Sequence, residues 1–157
     1  MSCRLVYPFD ETGIRPDLAE AILEEFELDF GLITSVPVNA QFLKQDGTWI
    51  TIDMFFDTGA VISLVSAHVG EEIGLRKYVS HRLSGISRKE ECVVPVRISR
   101  VRTRLIDSYG NISPEFDLWV AFAEESVPNV LGMKDIIQRF NFKADMKAKK
   151  LYLEWKE

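Results

Sequence analysis

The chain has 157 residues, of which 46% are apolar and 27% charged, with a net charge of −5. This length and composition exclude a disordered chain, because they allow a hydrophobic core. Two cysteines, Cys3 and Cys92, are too few for a disulfide scaffold or a four-cysteine zinc site. The acidic balance argues against a nucleic-acid binder. Without a membrane-length apolar run or a signal peptide near the N-terminus, we expect a cytoplasmic protein that binds no membrane.

Acidic residues are concentrated in the first part of the chain. Residues 1–33 contain eight acids and two bases, whereas the remainder is almost balanced. This shift in composition, followed by Pro37, predicts a boundary near Ile33. We therefore expect an acidic N-terminal extension over residues 1–33 and a main domain over residues 34–157.

The extension carries the pattern of one amphipathic helix. Pro16 suits a first helical turn, and apolar residues then recur at mostly three- and four-residue steps. These residues are Leu18, Ala21, Ile22 and Phe26. The predicted helix runs from about Pro16 to Glu27, and two interpretations are open. The helix packs on the main domain, or it is a regulatory or partner-docking arm whose acids face the basic stretch 76–104.

The remainder of the chain predicts many short strands and few helices. Asp46 and Gly47 form a strong hairpin signal between the first two strands. Strands are predicted at residues 36–43, 49–56, 61–65, 82–87, 92–98, 101–106, 116–122, 142–145 and 151–155. Short helices are predicted after Ser66 and over residues 134–140. This pattern predicts a mainly β protein with a closed or nearly closed β-barrel. We expect the bases of the stretch 76–104 either to lie on solvated strand faces or to favour acidic substrates or an acidic partner.

The residues that can carry chemistry are Asp57-Thr58-Gly59-Ala60. They stand between two apolar runs, residues 54–56 and 61–62, so an ionisable side chain is carried on a tight loop between buried strands. Aspartate and glycine are also common in plain turns. A plain turn, however, does not need apolar strands on both sides.

Residues 55–65, Phe-Phe-Asp-Thr-Gly-Ala-Val-Ile-Ser-Leu-Val, resemble the catalytic segment of the retroviral-type, or retropepsin-like, aspartic proteases. Residues 129–137, which include Leu131 and Gly132, resemble the apolar-apolar-Gly run that packs beside that family's catalytic loop. A weaker match, residues 83–86, stands where the family has its flap. The resemblance covers roughly residues 35–157. It implies a retropepsin-like barrel with a flap hairpin and one or two short helices.

The resemblance also implies a role for each matched residue. Asp57 would be the general acid and base, and Thr58 would hydrogen-bond across a two-fold axis. Gly59 would let the backbone approach closely and offer its carbonyl to a bound peptide, beside the small Ala60. The flap residues that would close over the substrate are Ser84, Gly85 and Ile86.

The family's chemistry uses two carboxyl groups and needs no metal or cofactor. The sequence holds one Asp-Thr-Gly motif, so the second carboxyl must come from another chain in a symmetric homodimer. The predicted function is an aspartic endopeptidase acting on peptide or protein substrates. The alternative is a non-catalytic dimeric module that binds peptides or proteins on the same fold. The sequence departs from the viral pattern at Val61, where an Asp is common, and in the single glycine of the flap. The N-terminal extension also has no counterpart in the minimal viral enzymes.

Overall fold

The structure is a computed structural model that describes residues 3–83 and 93–157. Its helices are α1 (Pro16–Phe26), α2 (Ala67–Ile73) and α3 (Lys134–Arg139). Its strands are β1 (Arg4–Pro8), β2 (Asp10–Gly13), β3 (Leu32–Ser35), β4 (Pro37–Leu43), β5 (Trp49–Phe56), β6 (Ser63–Ser66), β7 (Val79–Leu83), β8 (Val94–Ile106), β9 (Phe116–Ala123), β10 (Val130–Leu131), β11 (Phe140–Asp145) and β12 (Lys150–Trp155). The prediction of a mainly β protein is confirmed.

The largest sheet has seven strands in the order β4-β5-β10-β6-β9-β8-β7. Strand β4 also pairs with β8, so the pairings that start at β4 lead back to it through five other strands. Strand β10 is only two residues long, and it pairs in parallel with β5 and antiparallel with β6. Because residues 57–62 connect β5 to β6, β10 lies directly beside that connection.

The predicted division of one segment into two strands is wrong. The sequence predicts separate strands at residues 92–98 and 101–106, whereas β8 is continuous over 13 residues. The cause is β9, which pairs with β8 without interruption from Val96 to Thr103. Residues between Ile98 and Val101 therefore keep the ladder hydrogen bonds of an extended strand.

The main core includes residues from both sides of the boundary expected near Ile33. Leu5 and Tyr7 of β1 are buried, and β1 pairs with β12 in a sheet of order β1-β12-β11. The Tyr7 hydroxyl donates a hydrogen bond to the Ile106 carbonyl over 2.7 Å. The chain before residue 33 thus contributes a strand to the same core as the chain after it.

Residues 10–35, which we call the arm, form a unit of their own. Strands β2 and β3 pair in a two-stranded sheet, with Asp10 opposite Ser35. Helix α1 connects β2 to β3 along the chain, in the segment where the sequence predicts a helix. None of its residues is buried. Within the described ranges, no helix combines the length and apolarity needed to cross a membrane.

Candidate active site

Asp57 lies at the first position after β5, and its side chain is exposed to solvent. Its backbone N–H donates to the Leu131 carbonyl over 3.1 Å. One carboxylate oxygen, Oδ1, accepts a hydrogen bond of 2.8 Å from the Gly59 N–H. A Cβ added at Gly59 would lie 3.2 Å from that same oxygen. The loop therefore orients an open carboxylate with its own backbone, and a residue without a side chain keeps that space free.

The second motif packs against the same loop. Leu131 pairs with Phe56, and the next residue, Gly132, donates its N–H to the buried Ser63 hydroxyl over 3.0 Å. A Cβ at Gly132 would stand 2.5 Å from the backbone carbon of Ile62. Real side chains do not occupy that distance, so only glycine allows this approach. The two motifs that the sequence singles out are thus brought into direct contact.

The start of α3 holds the second half of the loop. The N–H of Met133 donates to the Ala60 carbonyl over 2.8 Å, and that of Lys134 donates to the Val61 carbonyl over 3.0 Å. The first N–H groups of a helix have no partner within the helix, so they are free to bind carbonyls outside it. The sequence predicts that this strand begins at Val61, whereas β6 begins at Ser63. These hydrogen bonds explain the difference, because they engage the Ala60 and Val61 carbonyls.

Two further residues, Asn129 of the second motif and Val36, position the loop in roles that the sequence does not assign. The Asn129 carbonyl accepts from the Phe55 N–H over 2.9 Å, and its side-chain amide donates to the Asp53 carbonyl over 3.3 Å. The Val36 carbonyl accepts from the Phe56 N–H over 2.9 Å. Asn129 directly precedes the apolar-apolar-Gly run, which is a usable signal. A backbone carbonyl such as that of Val36 leaves no signal in the sequence.

Asp135, which also lies within the second motif, is a buried carboxyl group to which the sequence assigns no role. It is 5% exposed and accepts a hydrogen bond of 2.8 Å from the Trp119 N–H. The Lys134 ammonium lies 3.7 Å from its other oxygen. Asp135 therefore ties α3, and with it the loop contacts of α3, to strand β9. The signal for it in the sequence is an acid in a first helical turn.

The predicted flap residues, Ser84, Gly85 and Ile86, lie outside the described residues. Strands β7 and β8, which precede and follow this part of the chain, pair in antiparallel register from Val79–Ile98 to Leu83–Val94. Val61, the residue that departs from the viral pattern, is 73% exposed.

These contacts define a mainly β protein that presents the exposed Asp57 carboxylate on a loop whose backbone is held by hydrogen bonds from both sides. Among solved structures, the chain is similar to a retropepsin-like aspartic protease from Rickettsia conorii, with a TM-score of 0.55. The match covers 99% of this chain and 92% of that one, at 13% sequence identity. No protein-family model and no curated protein matches by sequence. The retropepsin-like resemblance is thus confirmed at the level of the fold.

Proposed function

We propose that the chain is an aspartic endopeptidase that acts as a homodimer, with Asp57 of each copy forming the catalytic dyad. The observation that carries this proposal is the Asp57 loop. Its carboxylate is exposed, and its backbone is held from one side by Leu131 and from the other by the start of α3. The retropepsin-like fold supports the same conclusion.

A single chain supplies one of the two carboxyl groups that the reaction needs. Two carboxyl groups about 3 Å apart cannot both ionise, so they share one proton. The ionised carboxyl takes a proton from a water molecule, and the protonated carboxyl polarises the scissile carbonyl. The water then adds to that carbonyl carbon, and the amide C–N bond breaks as the nitrogen receives a proton. A two-fold axis beside Asp57 would provide the second carboxyl.

The other loop residues support this geometry. Thr58 is exposed, and its hydroxyl makes no hydrogen bond within the described part of its own chain, so it is available to its counterpart across the axis. Gly59 and Ala60 would line the floor on which an extended peptide lies. Ser84, Gly85 and Ile86 would cover the peptide from the other side and exclude water. A rigid loop matters because a displacement of about 1 Å costs roughly a hundredfold in rate.

The test compares wild type with Asp57→Asn on a diverse peptide mixture between about pH 4 and 7, where a carboxyl dyad works. Products are identified by mass spectrometry, and the oligomeric state by sedimentation. We expect cleavage by wild type and none by Asp57→Asn, with fold and dimer unchanged. Asp53→Asn is a matched control, because Asp53 is an exposed acid on β5 whose carboxylate makes no hydrogen bond or ion pair within the part of the chain that the structure describes.

Two results would contradict the proposal. Cleavage that persists in a clean Asp57→Asn sample would exclude the dyad. A wild-type dimer that binds peptides without turnover, with equal binding by Asp57→Asn, would favour the alternative of a non-catalytic peptide- or protein-binding module.

A further inference from the structure

The arm exposes an unusual amount of apolar surface. On α1, Leu18, Ile22 and Phe26 recur at four-residue steps along one side, and Glu20 and Glu24 lie on the other. Phe26 is 65% exposed, and no residue of this 11-residue helix is buried. An isolated helix shorter than about 12–15 residues is marginal in water, so the apolar side needs a partner.

Apolar exposure continues beyond the helix. Seven large apolar side chains in the arm are 46–65% exposed. They are Leu18, Leu23, Phe26, Leu28, Phe30, Leu32 and Ile33. Leu32 and Ile33 are consecutive residues of β3 and point to opposite faces, so one partner surface can cover at most six of the seven. At on the order of 100 Å² for each half-exposed side chain, that is up to about 600 Å², a large part of the roughly 800 Å² that each partner buries in a standard-size protein interface.

The base of the arm is fixed beside the candidate active site. Strand β3 leads directly into Val36, whose carbonyl binds the N–H of Phe56, and Phe56 directly precedes Asp57. On the other strand of the arm, the Glu11 carboxylate lies 3.0 Å from the Lys149 ammonium of the body. The arm therefore leaves the body at the surface from which Asp57 is presented.

Further apolar surface lies next to the Asp57 loop. Phe55 is 45% exposed and Val61 is 73% exposed, one on each side of Asp57 in sequence. A two-fold axis that brings two Asp57 carboxyls together must pass through this surface. The partner copy is then adjacent to the base of both arms.

We propose that the apolar side of the arm packs against a second copy of the chain and forms part of the dimer interface that completes the Asp57 dyad. This inference rests on the proposed function, because the dyad defines where the second copy lies. A membrane surface is a poorer partner, since interfacial helices carry Lys and Arg on their polar side. The polar side of α1 carries the acids Glu20 and Glu24.

The test replaces two apolar residues of α1 and, as a control, two acids of the same helix. The first variant is Leu23→Ser with Phe26→Ser, and the control is Glu20→Ser with Glu24→Ser. Sedimentation velocity over a concentration series measures the dimer dissociation constant of each. We expect the apolar variant to raise this constant by about tenfold or more, and the control to change it by less than about threefold.

Two further measurements follow the same variants. Peptidase activity of the apolar variant should fall at low protein concentration and recover when the concentration is raised. Amide hydrogen exchange of α1 in wild type should slow as the dimer fraction rises. Circular dichroism of the β body verifies that each variant is folded, which we expect because no substituted residue is buried.

The outcomes separate this inference from the proposed function. If Asp57-dependent cleavage is found and the folded apolar variant dimerises like wild type, the interface is wrong and the function stands. If wild type dimerises through the arm but never cleaves a peptide, the function is wrong and the interface stands. A wild type that is monomeric at every concentration overturns both.

Discussion

Replacing Gly132 by alanine places a Cβ against the backbone of the loop that follows Asp57. The new atom would stand 2.5 Å from the carbon and 2.6 Å from the oxygen of the Ile62 carbonyl, and 2.9 Å from the Ser63 nitrogen. These are backbone atoms of a paired segment, so no side-chain rotation relieves the overlap. Strand β10 must move away from the loop.

The expected magnitude follows from what that movement disrupts. Overpacking of a buried site costs about 1–3 kcal/mol. The Gly132–Ser63 hydrogen bond and the bond between the Asp57 N–H and the Leu131 carbonyl would also weaken, at about 1 kcal/mol each. We expect Gly132→Ala to lower the free energy of unfolding by about 3–5 kcal/mol. Peptide cleavage should fall roughly a hundredfold, because Asp57 loses its position.

The assay is urea unfolding, with the midpoint and the slope fitted separately so that a change in stability is distinguished from a change in the unfolded state. Gly13→Ala is the matched control, since a Cβ there would meet nothing within 4 Å. It should change the unfolding free energy by less than about 0.5 kcal/mol. A Gly132→Ala protein with the unfolding midpoint and activity of wild type would refute the close approach.

Three further changes test the loop and its surroundings. Ser63→Ala leaves the buried Gly132 N–H without its acceptor and should cost about 1–3 kcal/mol in urea unfolding. Gly59→Ala crowds the Asp57 carboxylate and should reduce cleavage about tenfold with little effect on the urea midpoint. Burial raises the pKa of Asp107, but hydrogen bonds from a side-chain amide and backbone N–H groups outweigh it and lower that pKa. Its stabilising contribution is therefore present above about pH 4 and lost as the pH falls toward the lowered value, and Asp107→Asn should remove this part of the acid dependence.

Each of these three has a contradicting result. An unchanged urea midpoint for Ser63→Ala would mean that water replaces the hydroxyl as acceptor. Full activity for Gly59→Ala would show that the carboxylate tolerates the added methyl group. An Asp107→Asn protein whose stability falls with acid as steeply as that of wild type would assign the acid dependence to other carboxyl groups.

The motifs of the site can be recognised in the sequence, whereas the residues whose hydrogen bonds hold the Asp57 loop can be recognised only in part. The Asp57-Thr58-Gly59 loop and the Leu131-Gly132 run are recognisable because each needs particular residue types. The Val36 carbonyl is invisible, since every residue carries a carbonyl and only the fold selects one. The roles of the predicted flap residues and the homodimer remain predictions.

The boundaries of the arm and of strand β8 could also be predicted only in part. The acidic segment 1–33 contains most of the arm, but it also contains β1. The two buried residues of β1, Leu5 and Tyr7, are too few to show the two-residue period of a strand. The division of β8 was misjudged because Ser99 and Arg100 interrupt the apolar pattern. Pairing with β9, the next strand, keeps them extended, and the pattern of residues 92–106 alone does not show how far that pairing runs.

The position of β10 also has a consequence for folding. Its ladder joins Val130 to Phe55 and Leu131 to Phe56, so about seventy-five residues separate the partners, whereas β4–β5 and β11–β12 are local hairpins. Contacts of long sequence separation form late, because the entropy of closing the loop must be overcome first. We therefore expect the Asp57 loop to be organised only after most of the chain has folded. A nascent or partly folded chain would then lack a formed site, and the proposed cleavage activity would be absent until folding is nearly complete.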